Sequence, residues 1–192
     1  MPGTAVTIEA ELVPLRDIIT FTDVPANAYY ADAVNWAVLN GVTKGTSETT
    51  FSPDASCTRA QAVTFLWRAA GSPAPKSSAM PFTDVDADAY YHDAVLWAVE
   101  QDITNGTSDT TFRPNATCTR AQIVTFLWRS QVSPAAGAVN PFADVADNAY
   151  YAEAVKWAVL EGVTSGTTAT TFSPNDSCTR AQIVTFLYRC LG

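Results

Sequence analysis

Three arginines stand out as side chains able to hold a charged group. Arg59, Arg120 and Arg180 each sit inside the same pentapeptide, Cys-Thr-Arg-Ala-Gln, at 57–61, 118–122 and 178–182. Thr-x-x-Gln is the pattern of a helix capping box: the Thr hydroxyl accepts from the third backbone N–H, and the Gln side chain reaches back to the Thr N–H. An apolar run follows at once, Val63-Thr64-Phe65-Leu66-Trp67 in the first copy, so each pentapeptide starts a helix with Arg at its first position. A cation there faces the positive end of the helix dipole, which is mildly unfavourable, yet all three copies carry it. A guanidinium beside free backbone N–H groups is a site for a carboxylate or phosphate. The competing reading is a structural salt bridge to a neighbouring unit's carboxylate. Arg68, Arg129 and Arg189 also recur, but near helix C-termini, where the dipole alone favours a cation. They read as structural.

Other recurring residues carry less chemistry. Gly45-Thr46, Gly106-Thr107 and Gly166-Thr167 lie in a loop, where a glycine in every copy implies a positive φ or close approach of a ligand. Plain turn chemistry is the alternative. Trp36, Trp97 and Trp157 fall off the main apolar stripe of their helix and share a face with Tyr29, Tyr90 and Tyr150, seven residues earlier. Such a ring either packs into the next unit or offers a face to a sugar. Trp67, Trp128 and Tyr188 read as packing. Asp23, Asp84 and Asp144 read as ties for a turn. His92 is unmatched in the other copies and reads as surface.

These residues are positioned by a unit of about 60 residues, used three times. The first spans 21–71, the second 82–131 and the third 142–192. From Thr50 to Arg68, 13 of 19 positions are identical in all copies, so one unit has been repeated. Between units lie the Pro-containing linkers 72–81 and 132–141. Residues 1–20 match nothing later and read as an arm, an edge strand or the tail of an upstream region.

Within a unit the order is loop, helix, loop, helix, a mainly α class. Asn27, Asp88 and Asn148 are the expected N-caps of the first helices. Tyr30, Ala33, Val34, Ala37 and Val38 then give an amphipathic stripe. Gly41 and Gly162 end the first and third of these helices, and Asp102 takes that place in the second. Thr-Phe-x-Pro at 50–53, 111–114 and 171–174 forms an extended anchor with a buried Phe. Two short helices cannot bury their own apolar face, so repetition implies a shared core. The economical arrangement puts the three second helices in a central bundle.

Bulk properties narrow the function. The net charge of −8 argues against nucleic acid as a partner and requires that any anionic ligand be held by local cations. No apolar window is long enough to span a membrane. Met1-Pro2-Gly3-Thr4 lacks the charged and apolar regions of a signal peptide. The chain therefore either stays inside the cell or is a piece of a longer secreted protein. The four cysteines form no close pair of the zinc or disulfide type. Cys57, Cys118 and Cys178 read as small buried hydrophobes, with a three-thiol cluster as the alternative. No catalytic constellation is assembled: there is one His, no P-loop, no nucleophile elbow and no metal-ligand spacing.

The three units resemble S-layer homology (SLH) domains. The resemblance is carried by Phe-x-Asp-Val at 21–24, 82–85 and 142–145, the Trp-bearing first helix, the loop glycine, Thr-Phe-x-Pro, and Thr-Arg-Ala-Gln in place of the family's usual Thr-Arg-Ala-Glu. It covers residues 21–192. It implies three helix-loop-helix repeats forming a pseudo-threefold, monomeric bundle with a central three-helix core. It also implies a non-catalytic module that needs no cofactor or metal and anchors secreted proteins to the bacterial cell wall. The implied ligand is a secondary cell-wall polysaccharide bearing pyruvylated N-acetylmannosamine, bound in grooves between repeats. The family's central ligand-binding arginine maps onto Arg59, Arg120 and Arg180, with Trp and loop residues helping to hold the sugar. The chain departs from the family in lacking Asp-Gly before Thr-Phe, in having Tyr-Tyr for His-Trp, and in placing Cys before Thr-Arg. A structural module that binds a protein partner or self-associates is the alternative.

Overall fold

The computed structural model describes residues 21–137 and 139–192. The N-terminal stretch, on which the arm reading falls, lies outside them. Six helices are present among the described residues, two per unit. They are α1 Ala31–Leu39, α2 Arg59–Ala69, α3 His92–Glu100, α4 Arg120–Ser130, α5 Ala152–Leu160 and α6 Arg180–Leu191.

The capping boxes form as written. Thr58 accepts from the Gln61 N–H and the Gln61 side chain accepts from the Thr58 N–H, and the same pair forms at Thr119 and Thr179. The first helices begin later than their expected caps. Asn27 is exposed, and a turn from Pro25 to Ala28 intervenes before α1. The N-cap residues are Tyr30, Tyr91 and Tyr151, none with a side-chain capping bond. An acidic residue in the first turn of each (Asp32, Asp93, Glu153) faces the helix dipole favourably instead. All three first helices end alike. Gly41 and Gly162 adopt φ near +70°, and Asp102 adopts φ +55° in the same place. Asp tolerates the left-handed region better than most residues, so α3 ends without glycine.

The second helices α2, α4 and α6 touch one another pairwise and form the expected centre. Each first helix packs against the second helix of the preceding unit: α3 on α2, α5 on α4, and α1 on α6. The sequence repeat is therefore not the packing unit. The core is shared, with Phe51, Phe112 and Phe172 fully buried alongside Leu66, Leu127 and Leu187. Each such side chain contributes about 1.5–3 kcal/mol by leaving water.

A ring of backbone hydrogen bonds closes the centre. Cys57 N–H donates to the Cys178 carbonyl, Cys118 N–H to that of Cys57, and Cys178 N–H to that of Cys118, at 2.8–3.0 Å. The three thiols are fully buried. Burial pushes Cys57 and Cys118 up to about 12 and Cys178 well above its usual range, so all three stay neutral. They fill the core as small apolar groups. Among the described residues no cluster of three His, Cys, Asp or Glu side chains has metal-holding geometry.

Candidate functional site

Arg59, Arg120 and Arg180 are the most buried cations among the described residues, at 3–4% exposure. Each reaches into the next unit in cyclic order. Arg59 Nε donates to the Phe112 carbonyl at 2.9 Å, Arg120 Nε to Phe172 at 2.9 Å, and Arg180 Nε to Phe51 at 2.8 Å. The guanidinium of Arg59 lies over the rings of Phe112 and Phe126, 4.8 and 5.5 Å from their centroids. The other two repeat this sandwich. Aromatic faces fix the guanidinium plane and shield it from water. Burial lowers the pKa of all three arginines, and the nearby cysteine, tyrosine and Asp84-type groups oppose that shift.

The rest of each fork is the informative part. Nη2 of Arg59 and of Arg120 is buried with no hydrogen-bond partner among the described residues. Arg180 Nη2 has a long contact of 3.5 Å to Thr43 Oγ1. None of the three forms an ion pair among the described residues, so the salt-bridge reading finds no support there. A buried cationic N–H left unpaired costs about 1–3 kcal/mol or more, which an incoming acceptor would recover.

The backbone donors at the helix start are not free, contrary to the sequence expectation. Arg59 N–H donates to the Ala116 carbonyl at 2.8 Å and Ala60 N–H to that of Pro114 at 3.0 Å. Gln61 N–H is taken by Thr58 Oγ1 and Ala62 N–H by the Thr58 carbonyl. The other two helices repeat the pattern with carbonyls of the next unit. Any anion must be held by the side chains.

Two open grooves contain Arg59 and Arg120. One has a volume of about 350 Å³ and is lined by Arg59, the Thr104–Thr107 loop, Gln122, Thr125, Arg129 and Tyr150, with Phe126 behind. The other, of about 330 Å³, is the same assembly shifted by one unit: Arg120, the Thr164–Thr167 loop, Gln182, Thr185, Arg189 and Tyr29. Each groove thus draws on all three units. Around Arg180 the equivalent residues keep the equivalent contacts. Arg180 lies 5.3 Å from the Phe65 centroid, Arg68 Nη1 donates to the Val42 carbonyl at 3.3 Å, and Tyr90 feels the charges of Arg68 and Arg180.

The glycines have a packing reason. Gly45, Gly106 and Gly166 have φ of +80 to +89°. A Cβ on Gly45 would come within 2.6 Å of the Phe21 ring and of the Thr50 carbonyl. The loop is thereby pressed onto the lead-in Phe. Thr46, Thr107 and Thr167 remain exposed at the groove mouth, their hydroxyls bonded to Thr50, Thr111 and Thr171. Asp23, Asp84 and Asp144 tie the far side of the loop. Asp84, for instance, accepts from the Phe112 and Arg113 N–H groups, both at 2.8 Å. Arg113 is thereby held at φ +59°, before a proline.

The arginines and the Gly-Thr loops come together; the tryptophans lie elsewhere. Trp97 and Trp157 are 8% and 4% exposed. Trp36 rests 5.9 Å from the Tyr188 ring, on the interface between α1 and α6. Neither groove wall above includes one of them.

Sequence reasoning passed over four groove positions. Tyr29, Tyr90 and Tyr150 are 61–65% exposed and form an aromatic rim. Partial burial raises the pKa of Tyr150, and Arg59 and Arg129 pull it back. The Gln of the capping box uses Oε1 on the Thr N–H, which leaves its NH₂ as the available donor. Thr125 donates to the Ala121 carbonyl at 2.7 Å and keeps acceptor capacity. Arg129 and Arg189 do hold a loop carbonyl, as a structural role requires, but they also wall the grooves. Their signal was a second arginine nine residues after the first in every copy.

A buried unpaired guanidinium N–H, a second cation, polar side chains and an exposed aromatic edge suit an anionic sugar. Comparison with known proteins bears on this. The pattern of the S-layer homology domain matches residues 20–63, 81–124 and 141–184. A Surface-layer 125 kDa protein of Lysinibacillus sphaericus is 31% identical over 98% of this chain, which spans 16% of that protein. An S-layer protein of Bacillus thuringiensis subsp. finitimus is 26% identical over 88% of the chain and 21% of its own length. An Endoglucanase of Bacillus sp. (strain KSM-635) is 34% identical over 59% of the chain and 12% of its own length. With its three matched repeats and their Thr-Arg-Ala-Gln helices, the chain belongs to the S-layer homology domain family.

Proposed function

We propose that this chain is a non-catalytic anchoring module that holds a larger protein at the bacterial cell surface. It does so by binding an anionic secondary cell-wall polysaccharide, of the pyruvylated N-acetylmannosamine type, in the grooves between repeats. The observation that carries this reading is the buried, unpartnered Nη2 of Arg59 and Arg120, two arginines that line the open grooves. A ketal carboxylate would accept from that N–H and from the second arginine. The sugar ring would lie against the rim tyrosine, its hydroxyls meeting the Thr and Gln side chains. The relatives support a modular role, since the chain spans only a minor part of each and two of them are surface-layer proteins. The endoglucanase's activity is that protein's own. The tryptophans contribute by holding the lobes together.

Co-sedimentation with purified wall sacculi tests this, before and after acid stripping of the secondary polymer. Binding is expected to vanish on stripping, and to be lost in the Arg59→Lys, Arg120→Lys, Arg180→Lys triple variant. Lysine keeps the charge and lacks the two-directional fork. Binding that survives stripping, or that persists in the triple variant, sinks the assignment. Failure of the wild type to bind either preparation would direct attention to a protein partner.

A further inference from the structure

The two open grooves and the equivalent set of residues around Arg180 share their walls and differ in their surroundings, and the differences include charges. The turn that accepts the groove arginine's backbone N–H supplies Ala116 beside Arg59 and Ala55 beside Arg180, but Asp176 beside Arg120. Asp54 flanks the rim tyrosine Tyr29 of that same Arg120 groove. Its counterparts in the other units are Asn115 and Asn175. The wall loop carries Lys44 between Thr43 and Gly45 in the Arg180 groove, where the other two grooves have Asn105 and Ser165. Asp54, Asp176 and Lys44 are all exposed. The same loops carry Glu48 in the Arg180 set, Asp109 in the Arg59 groove and Ala169 in the Arg120 groove. Arg113 stands in the Arg59 groove's loop where Ser52 and Ser173 bond the mouth threonines Thr46 and Thr167. The remaining carboxylates, Asp23, Asp84 and Asp144, recur in all three sets and each is tied to two backbone N–H groups. They do not distinguish one groove from another.

Resting on the anionic-glycan reading above, we propose that the grooves form an affinity ladder for a carboxylate-bearing sugar. The Arg120 groove, with Asp54 and Asp176, is the weak rung; the Arg59 and Arg180 grooves, where Arg113 or Lys44 adds a cation, form the tighter class. The physical reason is local. On a chain of net charge −8 the anion is drawn only by cations within about a Debye length, roughly 8–10 Å. Asp176 acts on Arg120 itself and Asp54 on the rim tyrosine Tyr29, so both offset part of what the arginines provide.

Calorimetric titration of the full chain with the methyl glycoside of pyruvylated N-acetylmannosamine, at low and high salt, tests the ladder. The wild type is expected to show non-identical sites. Lys44→Asn lowers one site of the tighter class about threefold at low salt, and Asp54→Asn with Asp176→Ala raises the weak site roughly threefold to tenfold, both effects shrinking as salt rises. Each substitution installs a residue that a sister unit already uses at that position, so folding is preserved. Identical sites in the wild type, or unchanged affinities in both variants at low salt, overturn the ladder and leave the glycan reading standing. An absence of binding to any groove overturns the glycan reading and the ladder with it.

Discussion

At the scale of residues, the groove arginines carry two duties at once. Nε of Arg59 holds the next unit's Phe112 carbonyl, while Nη2 is buried with no hydrogen-bond partner among the described residues. Arg59→Ala therefore orphans a buried carbonyl and is expected to cost about 1–3 kcal/mol in urea unfolding, separately from any loss of binding. The glycines divide by the same logic. Gly45→Ala meets the Phe21 ring and a positive φ and is expected to cost about 2–4 kcal/mol, whereas Gly41→Ala, with open space at φ +69°, costs about 1 kcal/mol. A chemical-denaturation comparison of the two variants checks this. The thiols give a pH dependence. Their folded pKa is raised, to about 12 for Cys57 and Cys118, so between about 9 and 12 the folded chain holds protons on those two that the unfolded chain has lost. Stability is then full below pH 9 and falls as pH rises through that window, by about 1.4 kcal/mol per thiol per pH unit at most. Urea midpoints at pH 8 and pH 10 show whether it does. The arginines were legible in the sequence because a cation at a helix start breaks a local rule. Their true partners were not, because those partners are main-chain carbonyls, which every residue possesses.

Elements show why half of the helices were easy to place. The second helices carry their start signal in side chains, and Thr119→Ala is expected to cost about 1 kcal/mol of thermal stability through the lost cap. The first helices start at Tyr30, Tyr91 and Tyr151 through turn geometry, with no side-chain acceptor to read. The Asn and Asp residues three positions earlier looked like caps and serve exposed turns instead. The loop between the helices is an element in its own right. Asp84 fastens its far end through two backbone N–H bonds. Asp84→Ala is expected to cost about 2–4 kcal/mol and to loosen the Arg59 groove, whose Phe112 carbonyl sits on the same segment. Amide exchange at Phe112 and Arg113 would report that loosening, and unchanged protection would contradict it. For the tryptophans the sequence left two readings open, packing into a neighbouring unit or a face for a sugar, and the structure shows the packing. Helical spacing put them on one face with Tyr29, Tyr90 and Tyr150, but those tyrosines precede the helix and turn into the groove. The indoles stay on the helix–helix interface.

For the whole molecule, the sequence implied a shared core but not which helix covers which. Three near-identical apolar faces have three near-identical docking surfaces, and identity of pattern cannot choose among them. The structure chooses the neighbour: α1 closes on α6, and every groove needs all three units. A fragment of residues 21–131 leaves α1 without its partner and Arg120 without the Phe172 carbonyl. It is expected to show no cooperative unfolding transition by circular dichroism. A sharp transition in that fragment would mean that two units suffice.

The closure of first helix on last also sets an order in time. Phe51 and Arg180, which bond to each other, are 129 residues apart. Contacts so distant in sequence are entropically late and slow to form. A chain emerging N-terminus first must carry the apolar stripe of α1 uncovered until α6 has been made. Helix α1, made before the other five described helices, is therefore among the last of them to be buried, and the nascent module stays in a loose, threadable state until its third repeat arrives.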